Sequence, residues 1–204
     1  MPRDKKLSHK KVLDAAKKEF LEKGFEDASI RLIGARAGMT SAGLYRHCKD
    51  KEDLFVQIVD PLLQEMNKRF SEHKKISYDA IKIGERHKEA FDTGEIKIFL
   101  DLSKEFPEEL KLLLCKSAGT RYENFVHDLV DMQQKEMLTV LNMMQEKGYQ
   151  IIKITEREMH VLLSAYITAI IEPVIHEYDE KETEHCLMKV SEFFTPGWMK
   201  IMGL

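Results

Sequence analysis

The sequence predicts an all-α fold, on three observations. Apolar residues recur at spacings of three and four along almost the whole chain. No segment keeps the apolar/polar alternation with Gly or Asn-Gly turns that marks a sheet, and capping residues and terminal glycines punctuate the periodic stretches. The 204 residues are 43% hydrophobic and 33% charged, with ten glycines and five prolines. That composition supports a sizeable core and fits neither a disordered nor a fibrous protein.

The first element is an amphipathic helix in which Val12, Leu13, Ala16, Phe20 and Leu21 share a face, closed by Gly24. Ser29 is placed to cap a short helix carrying Ile30, Ile33, Ala35 and Ala37, which Gly38 ends. Thr40 or Ser41 caps a third short helix through Leu44 and Tyr45. Asp50 caps a fourth that runs on through Ile58, Leu62, Leu63, Met66 and Phe70, with a kink expected at Pro61. Periodic segments follow near Tyr78 to Phe91, Glu95 to Lys104 and Leu110 to Leu114, then a long one from about Thr120 to Lys147 that Gly148 ends. Thr155 and Glu158 form a capping box for a helix reaching His176. The last helix is expected from about Lys181 to Phe194, stopping at Thr195-Pro196-Gly197.

No stretch approaches eighteen uninterrupted apolar residues. The best, Val161 to Ile175, is broken by Ser164, Thr168, Glu172 and Pro173, so no membrane span is expected. The basic N-terminus runs into an amphipathic segment instead of a signal-peptide core, which points to the cytoplasm. Cys48, Cys115 and Cys186 are far apart and odd in number, the pattern of free thiols. The net charge of −3 hides an asymmetry: residues 1–54 carry thirteen Lys or Arg against nine Asp or Glu, so the acidic excess lies in residues 55–204.

The informative stretch is 29–54. Two short helices joined by a glycine-bearing turn, at about 29–48, form the skeleton of a helix-turn-helix, whose second helix enters the DNA major groove. Ser41, Ala42 and Gly43 would let its backbone approach base edges. Arg46 can fork onto guanine, while Tyr45 and His47 more naturally reach phosphates. Lys51 adds a positive charge beside the next helix N-terminus, which itself favours an anion. The DNA-contacting set expected here is Arg31, Thr40, Ser41, Ala42, Gly43, Tyr45, Arg46, His47 and Lys51.

This stretch resembles the TetR family of bacterial helix-turn-helix transcriptional regulators through Ala37-Gly38, Leu44-Tyr45, His47 and Lys49-x-Lys51-Glu52-x-Leu54. The likeness covers about residues 8–55, with Phe20 and Gly24-Phe25. It implies an N-terminal three-helix DNA-binding domain (1–54) and a larger helical ligand-binding and dimerisation domain (55–204). It also implies that Tyr45, His47 and Lys51 contact phosphate. Three departures from the family's pattern stand out, one being that Ala42 and Gly43 fill a region where other members carry longer side chains, so that sequence preference rests more on Arg46 and on DNA shape. Gly34 replaces a usual Ala, which weakens its helix by about 1 kcal/mol unless a close helix crossing requires it. Cys48 replaces a usual core Phe, whose volume a neighbour must fill.

A small-molecule effector would be oriented by Arg86, His87, Tyr122, His127 and His160 beside Met132 and Met159, although methionine at helical spacing is more often plain core. Leu162, Leu163, Tyr166 and Ile170, with Leu187, Val190, Phe193 and Phe194, are expected to form a four-helix interface with a second copy. The His176–Cys186 cluster has metal-ligand residue types but reads as a solvated acidic connection. No cofactor, metal or catalytic motif is expected, so an all-α enzyme is the weak alternative. The expected function is a ligand-responsive repressor acting as a homodimer on a palindromic operator in double-stranded DNA. A constitutive DNA-binding module is the other reading.

Overall fold

The computed structural model describes residues 5–83 and 94–204 and contains no strand among them. The helices are α1 (Lys5–Asp27), α2 (Ile30–Arg36), α3 (Ser41–Leu44), α4 (Lys51–Ile83), α5 (Gly94–Glu105), α6 (Pro107–Cys115), α7 (Phe125–Glu146), α8 (Glu156–Ile175) and α9 (Glu180–Met202). They form two compact units, Met1–Gln64 with Phe106–Asn124, and Glu65–Glu105 with Phe125–Leu204. The first unit therefore extends past the boundary expected at residue 54. Ile58, Val59 and Leu62 of α4 are buried, and the first two share one core with Val12, Phe20, Ile33, Leu44 and Leu112.

In the first unit, Phe20, Phe25 and Phe55 meet pairwise at centroid distances of 5.8, 5.4 and 5.7 Å, a geometry that adds electrostatic preference to their apolar burial. Gly24 breaks α1 at φ 78°, ψ 168°, a conformation that side chains with a Cβ avoid. The chain then turns so that the Phe25 amide donates to the Lys116 carbonyl at 3.0 Å. α6 begins at Pro107, where a missing N–H costs nothing, and Lys17 of α1 reaches Glu108 and Glu109 at 2.9 and 2.7 Å.

In the second unit, α7, α8 and α9 pack around Ile81, Leu141, Met144, Met159, Leu163 and Met202, and Ile96 of α5 joins Ile170 and Leu187 in a second cluster. α7 starts at Phe125, later than the periodicity suggests. Thr120 is occupied in a turn, its hydroxyl donating to the Ser117 carbonyl and accepting from the Tyr122 amide. Thr155 and Glu158 form the expected reciprocal cap of α8.

α9 corrects two expectations. Asp179 and Glu182 build a capping box, so most of the acidic cluster is helix and not a connection. The helix then runs through Pro196 to Met202. Pro196 is exposed, while Met202 beyond it is buried and the Ile201 carbonyl accepts from the Ile152 amide, so packing past the proline holds the helix together. By length and composition alone α8, with a mean hydropathy of 1.4, is apolar enough to cross a membrane, as core helices of soluble proteins also are, because Ser164 and Thr168 interrupt the run without adding charge.

Candidate nucleic-acid interface

The interface is built around a tight turn. The Ser29 hydroxyl accepts from the Leu32 amide at the start of α2, and Gly38 at φ 69° ends that helix. The Thr40 hydroxyl accepts from the Gly43 amide at 3.1 Å to start α3. Ile33 and Leu44 anchor the two helices in the core with no exposed surface. Gly34 is buried, and a Cβ built on it would lie 3.2 Å from the Met39 carbonyl oxygen, so the departure from Ala answers to a close approach of the turn.

Both ends of α2 are tied to α1. The Arg36 guanidinium grips Glu22 with two bonds, at 3.1 and 2.5 Å, and this charge-assisted pair holds the Glu22 carboxyl below its usual range. At the other end the Ser29 amide donates to Glu19, which is 1% exposed and lies 3.3 Å from Arg36. Cys48 is buried with its thiol 3.8 Å from the Leu44 carbonyl; burial, then Asp53 and Asp50, push it up to about 11. Cys48 is part of the same buried cluster as Leu44, Leu54 and Phe55.

What this leaves facing outward is Arg31, Thr40, Ala42, Tyr45 and Arg46, all exposed, with Ser41, Gly43 and His47 partly so. His47 stacks on His9 of α1, with ring centroids 5.7 Å apart and planes 26° apart. Lys51 is placed differently from the phosphate contact expected of it. Its ammonium donates to the carbonyls of Glu26 and Ala28 at 2.9 and 3.1 Å and lies 4.5 Å from the Phe25 ring centroid, closing the end of α1. Asp50 caps α4, accepting from the Asp53 amide while Asp53 accepts from Lys49.

The family described as bacterial regulatory proteins, tetR family, matches residues 12–58, which span the α1 core face to the first turns of α4. An HTH-type transcriptional regulator of Staphylococcus aureus (strain bovine RF122 / ET3-1) is 29% identical over 126 residues. Residues 12–58 are thus similar to the DNA-binding region of the tetR family. The match to the Staphylococcus regulator spans 61% of this chain and 62% of that protein's length. In fold, this chain is similar to a TetR-like transcriptional regulator from Rhodococcus sp. RHA1, with TM-score 0.56, 18% identity and coverage of 97% of this chain and 99% of the other. It is similar also to SmeT, solved as a complex with triclosan, with TM-score 0.55, 19% identity and 90% of each chain covered.

The described effector candidates do not form one group. Arg86 and His87 lie outside the described residues. Tyr122 belongs to the first unit, where its ring packs 6.3 Å from Phe55 and burial raises its phenol. Met159 is buried core, while Met132 is half exposed on a surface groove with Asp128, Asp131, Lys135, Glu136 and Thr139. Among the described candidates only His127 and His160 meet, their rings 6.1 Å apart on either side of Asp131, at 3.6 and 3.8 Å from its oxygens, with Gln134 bound to His160.

The polar residues that do converge in the second unit were missed in the sequence. Tyr78 donates to Glu136 at 2.5 Å, and Lys74 pairs with the same carboxylate. Burial, reinforced by Glu136, raises the Glu95 carboxyl to about 7, and burial beside Glu95 also raises the Tyr166 phenol. The one signal was the Lys74/Tyr78 pair, four apart on a helix face.

Of the residues expected at a dimer interface, Leu163, Ile170 and Leu187 are inside the protomer, at 3%, 8% and 0% exposure, and Tyr166, Val190 and Phe194 are mostly enclosed. A side chain already surrounded by its own helices has no surface left for a partner. Leu162 and Phe193 do face outward.

Proposed function

We propose that the chain is a ligand-responsive repressor that acts as a homodimer on a palindromic operator in the bacterial cytoplasm. The observation that carries the DNA reading is α3. Leu44 fixes it to the core, and Ala42, Tyr45 and Arg46 project from it into solvent on a module with a basic balance. Two such modules would read half-sites about 34 to 36 Å apart. Ala42 and Gly43 offer little hydrogen bonding, so Arg46 and DNA shape carry the sequence preference.

The dimer reading rests on apolar surface that α8 and α9 leave uncovered. Val161, Leu162, Ala165, Thr168 and Ile175 lie along one side of α8, and Met188 and Phe193 project from α9. Phe193 is 78% exposed with Pro196 and Gly197 one turn on, small enough to let a second helix approach. Exposed apolar side chains of this kind mark an interface, and they account for the hydropathy of α8 without a membrane. The effector reading rests on the methionine-bearing core of the second unit and on the triclosan complex of a protein similar in fold. An effector acts only through unequal affinity for the DNA-competent and DNA-free states.

The test is selection of a duplex from random-sequence DNA on the purified protein. It should return an inverted repeat bound with a steep salt dependence, Arg46→Ala should relax preference at one position of each half-site, and a thermal-shift screen should find compounds that weaken the complex. Selection of no sequence, or of a single asymmetric site by a monomer, overturns the reading.

A further inference from the structure

Glu19 of α1 is a carboxylate only 1% exposed, and among the described residues its Oε2 atom accepts no hydrogen bond. A charge so placed is a poor source of stability, since a well-packed apolar side chain in the same space is often neutral or better. Its use lies in geometry. We infer that Glu19 is a positioning residue for base recognition: by holding both ends of α2 it fixes the roll of that helix on α1, and with it the aim of α3 and Arg46. The inference rests on the DNA-binding reading above.

α2 needs such a device. It is seven residues long and buries Ile33 and Gly34, which are adjacent, so its apolar anchorage is a pivot and not a clamp. Gly24 breaks α1 before α2 begins, so no continuous helix carries orientation from one to the other. Glu19 precedes that break and reaches across it. Its Oε1 accepts from the Ser29 amide at 3.4 Å at the start of α2, and its Oε2 lies 3.3 Å from the Arg36 guanidinium in the last turn. Glu22, one turn further along α1, takes the two bonds of the Arg36 fork at 3.1 and 2.5 Å. A negative group beside the first amides of α2 and a positive one in its last turn also suit the helix dipole.

What fixes α2 fixes α3. The second helix is a single turn, Ser41–Leu44, too short to hold a direction of its own, and the Met39 amide on the Gly34 carbonyl at 2.8 Å ties the intervening turn to α2. Buried Leu44 sets its depth, and the roll of α2 sets the direction in which Ala42, Tyr45 and Arg46 leave it. A small rotation swings the Arg46 fork off a base edge, where a bidentate contact depends on angle, while attraction to phosphate survives it. Glu19 therefore acts on base preference more than on affinity for DNA in general.

The test uses the full-length protein with two probes, the duplex it selects from random-sequence DNA and a scrambled duplex of the same length and composition. Glu19→Leu removes the buried charge and should melt near the wild-type temperature, yet bind the selected duplex about tenfold more weakly with the scrambled one little changed. Glu19→Gln keeps an oxygen for the Ser29 amide and should fall between the two proteins. Adding Glu19→Leu to Arg46→Ala should lower the preference little further, because no fork is left to aim. Equal losses on both duplexes, a preference as in the wild type for both Glu19 variants, or additive losses in the double variant overturn the positioning role while leaving the DNA reading intact. Failure of the wild-type chain to select any duplex overturns both.

Discussion

Gly34 and Met39 hold the helix-turn-helix turn closed from both sides: the Met39 amide donates to the Gly34 carbonyl at 2.8 Å, and the Met39 carbonyl occupies the space 3.2 Å from where a Gly34 side chain would begin. Helix propensity alone favours Ala at this position by about 1 kcal/mol. The turn cannot yield without giving up its own hydrogen bond, so the added methyl should win the argument in the opposite direction. Gly34→Ala should destabilise the protein by about 1 to 2 kcal/mol, read as a lower urea midpoint with unchanged slope. A raised midpoint would show that the turn relaxes freely.

Lys51 separates two roles that resemblance alone merges. In this chain its ammonium is taken up by two carbonyls at the end of α1 and by the Phe25 ring. Lys51→Met should therefore lower the melting temperature, by the equivalent of about 1 to 2 kcal/mol, while the dependence of DNA affinity on salt stays as in the wild type. Loss of a phosphate contact would instead reduce the salt slope by about one and leave melting unchanged.

These two positions also mark the reach of sequence reading. Local chemistry was legible: Ser29, Thr40, Asp50 and Thr155 all cap helices as their residue types suggest, because a side-chain oxygen at a helix start has one nearby set of amides to satisfy. The outward set on α2 and α3 was legible for the same reason, since the turn fixes which residues face the core. What depends on distant packing was not. α9 passes Pro196 because residues beyond it are held elsewhere. Leu163 and Leu187 share helices with Val161 and Phe193, and only the packing of α5 and α7 decides which side of each helix is already covered. Lys51 points to the end of α1, 25 residues from the carbonyl of Glu26, a contact no spacing rule encodes.

The outward face of α8 and α9 makes a sharp contrast testable. Phe193→Asp places a carboxylate on surface that is 78% exposed in the protomer, so the variant should keep its helical circular dichroism yet elute as a monomer by light scattering, with much weaker operator binding. Leu187→Asp, at a position with no exposed surface, should instead lose its fold, because an unpaired charge would be buried. A dimeric Phe193→Asp protein would move the interface elsewhere.

Glu95 sets a pH dependence of opposite sign to that of the ion-paired carboxylates. Burial and the neighbouring Glu136 charge raise its folded pKa to about 7, from an ordinary 4.5. The folded state therefore keeps a proton that the unfolded chain releases. Its contribution is fully present below about pH 4.5 and is lost as pH rises from there to about 7, a change on the order of 3 kcal/mol across that window. Carboxylates such as Glu22 and Glu158, held low by Arg36 and by the Thr155 cap, act the other way, adding stability above the ordinary carboxylate pKa that is lost only on stronger acidification. Stability measured by urea unfolding should accordingly decline between pH 4.5 and 7 in the wild type. Glu95→Gln, which keeps the shape without the charge, should flatten that interval and be the more stable protein at pH 7.5. A variant whose curve still falls in parallel with the wild type would assign the decline to another group.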